Sequence, residues 1–175
     1  GSEVIFEALH HLRAGDIDRI VTLTGASYAS RAVAALQSDA GRAAELLNIT
    51  SRENDLFDFL YERLIAPPVG RDWAIGMGLD LPNAVTVLLD CPRTLATLPQ
   101  IGGHVAAPRR RICHWSGYTR AGALRFYARA LRDPDAVRVD ELRAALPDIA
   151  APRWSRIFAR PQLTLSLPQV QKAAS

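Results

Sequence analysis

Three short runs of branched and apolar residues restrict what this chain can become. They are Arg19–Leu23 (RIVTL), residues 46–50 (LLNIT) and residues 83–90 (NAVTVLLD). Each is of strand length, and each is followed by residues at helical spacing. Buried strands that alternate with helices give a parallel sheet joined by right-handed crossovers and covered by helices. The expected class is therefore α/β: a single domain with an open, mostly parallel sheet of about four strands flanked by helices. Residues 110–115 (RRICHW) supply the expected fourth strand.

The helical segments follow from periodicity and punctuation. Residues 3–13 read as a short amphipathic helix broken by Gly15-Asp16. Ser27 is placed to cap a helix reaching about Gln37. Thr50 and Glu53 have capping-box spacing ahead of a helix over about 52–65. That helix would put Leu56, Phe57, Leu60 and Leu64 on one face, and Pro67-Pro68 end it. Residues 67–82 form the longest expected loop, and long loops in compact domains are often functional. Further helices are expected at about 93–101, from Thr119 to about Arg132, and at about 139–146. In the second of these Leu124, Tyr127, Ala128 and Leu131 would point inward. The α/β domain is expected to span 3–150, with an extended C-terminal segment over 151–175. There Leu163, Leu165 and Leu167 alternate with Thr164 and Ser166, a strand period that suits an edge strand or a partner contact.

Charge and cysteine content narrow the function classes. The formal charge of +3 is too mild to imply nucleic acid, and Lys172 is the only lysine. No run approaches the roughly 18–20 apolar residues of a membrane span, so no membrane partner is expected. Cys91 and Cys113 make neither a disulfide framework nor a zinc cluster, which suits a reduced, cytoplasmic setting.

In an open parallel sheet ligands bind beyond the carboxyl ends of the strands. The loops to inspect are 24–28, 50–53, 90–94 and 114–120. In the first, Thr24, Gly25, Ser27, Ser30 and Arg31 would surround a helix start, where free amides favour an oxyanion. Ser27 is the candidate nucleophile there, and Arg31 the anion clamp; the bland alternative is an ordinary helix cap. In the last, His114, Gly117 and Arg120 follow an expected strand end. The interval from His114 to Arg120 is that of a phosphate-cradling loop, with His in place of the cysteine nucleophile. Asp55, Asp58 and Glu62 share one helical face, suited to a cation or to an acidic surface.

The order of buried strand, small loop, hydroxyl, aromatic and helix in Ser27-Tyr28-Ala29-Ser30-Arg31 resembles the nucleophile region of the alkaline phosphatase and sulfatase superfamily. Residues 48–55 and 113–120 resemble stretches of bacterial sulfatase-like proteins. The resemblance implies a hydrolase of phosphate or sulfate esters that takes a small anionic substrate and works through divalent metals held by Asp and His. The four histidines here are His10, His11, His104 and His114, and none forms an Asp-His pair. The implied member is thus partial or metal-less. The alternative is a non-catalytic module that binds an anion or a partner protein, including a second copy of the chain.

Overall fold

The computed structural model describes residues 1–109 and 112–147. Strands β1 (Arg19–Leu23), β2 (Glu45–Thr50) and β3 (Ala84–Leu88) form one parallel sheet in the order β1-β2-β3. Helices α1 (Ser2–Leu9), α2 (Ala29–Leu36) and α3 (Asp39–Ala43) cover one face. Helix α4 (Asp55–Leu64) meets α1 through Tyr61, whose hydroxyl donates to Glu3. Helices α5 (Pro92–Thr97) and α6 (Ser116–Thr119) precede α7 (Ala123–Arg132) and α8 (Val139–Ala145), which cover the opposite face. The chain is an open α/β fold with a parallel sheet, and no described helix is long and apolar enough to cross a membrane.

Side chains alternate across the pleat, so the register sets four rows. Val21, Leu47 and Val85 lie level, as do Leu23, Ile49 and Val87, and these rows meet α7 and α8. The other face carries Ile20, Leu46 and Ala84, packed on Phe6, Leu9, Ala32 and Leu36. Its second row is polar. The Thr22 hydroxyl donates to Asn48 Oδ1 at 3.0 Å. Asn48 Nδ2 donates to the Ile75 carbonyl at 2.7 Å and to Thr86 Oγ1 at 3.2 Å. All three side chains are buried, and each finds a partner, which removes the penalty of an unpaired buried polar group.

Five local expectations are corrected. Residues 112–115 form a bend and turn leading into α6, not a strand; residues 110 and 111 lie outside the described residues. The Cys113 amide donates to the Glu53 carbonyl at 2.8 Å, and the Thr24 hydroxyl reaches the His114 carbonyl at 3.0 Å. These bonds draw the segment across the ends of β1 and β2 instead of along a sheet edge.

The cap of α2 is Tyr28, in extended conformation, and not Ser27. The cap of α4 is Asn54, so Thr50 and Glu53 form no capping box; the Thr50 hydroxyl is buried without a partner among the described residues. Finally, α4 is inverted. Asp55 and Asp58 are its buried residues, while Phe57, Leu60 and Leu64 are exposed. Its inner side meets loop backbone, where acceptors are needed: the Ala74 amide donates to Glu62 Oε1 at 2.8 Å, and Gly76 packs directly on the Asp58 carboxylate. In α7 the buried face is Ala123, Phe126, Tyr127 and Ala130, with Leu124 and Leu131 outward. The expected tail, 151–175, lies outside the described residues.

Candidate functional site

The carboxyl ends of all three strands converge on one surface, built from the loops after β1, β2 and β3 and from 113–120. Thr24 ends β1 at φ 45°, an uncommon conformation for a β-branched residue. Gly117 packs on the Thr24 methyl, and the Tyr118 hydroxyl donates to the Leu23 carbonyl at 3.2 Å. The first and last expected loops therefore adjoin at Thr24.

Their functional groups do not converge. Ser27 is fully buried, and its hydroxyl stands near the Glu3 carboxylate. Ser30 donates to Asp72 at 2.5 Å. Arg31 pairs with Glu3 on the α1 side, beside Tyr61, whose hydroxyl donates to Glu3 at 3.1 Å. Burial raises the Glu3 pKa, and its bonds from Ser27, Arg31 and Tyr61 outweigh that and hold it below the usual value. Gly25 lies against Ser2 and Ile75, where a side chain would collide.

Arg120 is taken up inside the fold. Its guanidinium donates to the Leu89 carbonyl and, at 2.6 Å, to the Glu53 carboxylate, with both side chains about 95% buried. A bidentate cation that could face an anion is instead neutralised by a carboxylate. Among the described residues no three His, Cys, Asp or Glu side chains stand close enough to hold a metal ion. The two-metal site implied by the resemblance does not fit the described residues, so no step through it follows.

One constellation emerges that spacing did not reveal. His114 Nδ1 lies 2.8 Å from Asn54 Oδ1, and Asn54 Nδ2 donates to Asp58 Oδ1 at 3.1 Å. With Asn54 Oδ1 as the acceptor, His114 Nδ1 is the donor of this bond. Burial pushes the Asp58 carboxyl up to about 8, with the Asp55 and Glu62 charges adding to the rise against the Asn54 bond. The imidazole sits between Phe57 at 5.2 Å and Trp115 at 5.8 Å, and Trp115 continues to Tyr118 at 5.7 Å. Phe57, Trp115 and Tyr118 are exposed. Asn54 and Asp58 lie sixty or so residues from His114 in sequence, so only their helical spacing could have been noticed beforehand. At the next strand end the Arg52 amide donates to Asp90 at 3.0 Å. Burial raises the Cys91 thiol there, yet bonds from Thr94 and Arg93 and the Arg52 charge hold it below its ordinary value.

No protein-family model, curated protein or solved structure matches this chain.

Proposed function

We propose that this chain is a non-catalytic protein-interaction module built on a hydrolase-like α/β frame. The observation that carries this reading is the inverted helix α4. Its carboxylates serve the interior, and Phe57, Leu60, Leu64 and Ile65 face outward, followed by exposed Val69 and Trp73. Phe57, Leu60 and Leu64 recur at helical spacing on one exposed face, and an apolar stripe of this kind marks a contact with another polypeptide. The internal pairing of Arg31 with Glu3 and of Arg120 with Glu53 supports the loss of anion chemistry. The sulfatase-like resemblance enters as the origin of the frame, with its anion loops turned to structural use. The partner presents an apolar, aromatic-rich surface, and a second copy of the chain is one such surface.

The test is Leu60→Lys with Leu64→Lys. Sedimentation and binding of an environment-sensitive apolar dye should show loss of association and of dye uptake. The urea midpoint should stay within about 0.5 kcal/mol of the wild type, as for surface changes. Unchanged association and dye binding would refute the reading.

The His114–Asn54 bond favours a second reading, residual ester hydrolysis with His114 as general base. It requires turnover of p-nitrophenyl phosphate or sulfate that His114→Ala abolishes. Absence of turnover removes it.

A further inference from the structure

Residues 91–132 hold eight arginines and no acidic residue. Helix α7 closes this stretch and carries its imbalance to the surface. Ala123, Phe126, Tyr127 and Ala130 form its buried side. At about 100° per residue, Arg125 and Arg132 fall opposite that side, on the outermost line of the helix, with Arg129 next to them. All three arginines are exposed. Leu124, Ala128 and Leu131 make a second row along one flank, with Leu124 61% and Leu131 52% exposed. The two rows run side by side for about two turns.

Neither row serves the fold. Arg19, Arg31, Arg42, Arg120, Arg138 and Arg143 each pair with a carboxylate. Among the described residues Arg125, Arg129 and Arg132 pair with none; Arg129 donates to the Gly102 carbonyl at 3.3 Å. Asp133, the acid nearest in sequence, turns back to the Ala136 amide. Arg125 and Arg129 stand four residues apart, and Arg129 and Arg132 three, spacings at which like charges destabilise a helix. The helix dipole favours Arg129 and Arg132 in the last turn but disfavours Arg125 in the first.

We propose that the outer face of α7 docks an acidic amphipathic helix of a partner protein. The partner's apolar stripe lies on Leu124, Ala128 and Leu131, and its carboxylates meet Arg125, Arg129 and Arg132. Charge complementarity selects this occupant, because the partner supplies the acids that the region lacks. The chain's own residues 148–175 hold one acid, Asp148, against Arg153, Arg156, Arg160 and Lys172, and so do not supply them. Two copies of the face would set arginine against arginine.

The parallel rows select a helix. A second helix laid alongside presents apolar and charged residues in adjacent rows with the same two-turn repeat. A nucleic-acid backbone would use the arginines and leave the leucines in water. A bilayer would meet the outermost line first, where the arginines stand, and the leucines would stop short of its apolar layer. Beside Leu124 the surface opens into a groove of about 540 Å3 lined by His104, Tyr118, Gly122 and Phe126, room for a large apolar side chain of the partner at the start of its stripe.

The experiment is fluorescence anisotropy with the full 175-residue chain and a labelled designed helical peptide of about four heptads, with one leucine stripe flanked on one side by glutamates. A scrambled peptide of the same composition, a single-stranded oligonucleotide and phosphatidylserine vesicles are measured alongside. The amphipathic peptide should bind, and the scrambled one should bind about tenfold more weakly. Arg125→Glu with Arg129→Glu should weaken the amphipathic peptide by about tenfold or more and should instead take up a peptide with lysine in place of glutamate. Leu124→Ser with Leu131→Ser should also weaken it by about tenfold. The urea midpoints of these variants should not fall, because the replaced side chains are exposed.

Lack of binding, equal binding of the scrambled peptide, or binding untouched by the α7 variants overturns the proposal. Preference for the oligonucleotide or the vesicles, lost in the arginine variant, overturns it in favour of phosphate groups. Self-association lost in that variant overturns it in favour of a second copy. Leu60→Lys with Leu64→Lys should leave peptide binding unchanged; loss there would move the peptide to α4. The two surfaces share no residue, so either can fail without the other.

Discussion

The buried pair between Arg120 and Glu53 gives the sharpest quantitative test of whether Arg120 serves structure or ligand. Consider Arg120→Met. The guanidinium retains about 5% exposure and the carboxylate about 4%, so neither charge is screened appreciably by water. Removing the cation takes the Arg120 charge away from the buried Glu53 carboxylate and the donor away from the Leu89 carbonyl. Breaking a buried pair from one side costs about 3–5 kcal/mol. Domains have about 5–15 kcal/mol in total, so the variant loses a large share of its stability. At about 2–4 °C per kcal/mol for a chain of this length, Tm should fall by roughly 10–15 °C. Replacing both partners, Glu53→Met with Arg120→Met, should recover most of that loss, because a well-packed apolar pair substitutes for a buried ion pair. Urea titration followed by circular dichroism measures both variants. An Arg120→Met protein within about 1 kcal/mol of the wild type would refute the reasoning and return Arg120 to the role of an anion ligand.

Further outcomes follow from other groups. Burial holds the Asp58 carboxyl near 8 in the fold against an ordinary value of 3.8, so the folded state keeps a proton that the unfolded chain releases. This group's contribution to stability is therefore full below about pH 4 and is lost as pH rises through about 8. Asp58→Asn should flatten that slope and give the higher urea midpoint at pH 8. Gly122 sits at φ 85° with the His104 carbonyl where a Cβ would go; Gly122→Ala should cost about 3 kcal/mol in thermal unfolding. Thr50→Val should be neutral or stabilising by up to about 1 kcal/mol, because the hydroxyl it removes is buried and has no partner among the described residues, whereas a capping role would make it costly.

The parallel strands were legible because fully buried strands need continuous apolar runs, and β1 carries the bounds its sequence predicts. Helix orientation was less legible. Periodicity identifies the apolar stripe of α4 but assumes that the stripe faces a core; α4 instead faces backbone donors at Ala74, which favour Glu62. The bend at residues 112–115 shares its composition with a strand, and only its bonds to Glu53 and Thr24 set it across the sheet ends. In the site, Thr24 does meet residues 114–118, but through hydrogen bonds to a turn and not, as expected, through the end of a fourth strand. The partners that occupy Arg31 and Arg120 were not legible, because Glu3 and Glu53 are distant in sequence and an arginine's counter-charge leaves no mark in local spacing.

The Thr22–Asn48–Thr86 row also bears on how the sheet assembles. Hydrophobic rows tolerate sliding, since one branched side chain can replace another at similar contact. Moving β2 by two residues against its neighbours would keep Asn48 on the same face but set its amide level with Ile20 or Thr24 and with Ala84 or Leu88. At least one of its three bonds would then be lost in a dry interior, at about 1–3 kcal/mol for each group left unpaired. The single amide thus discriminates among alignments that greasy contacts treat as near equals, and a collapsed chain with β2 out of step has a reason to reopen.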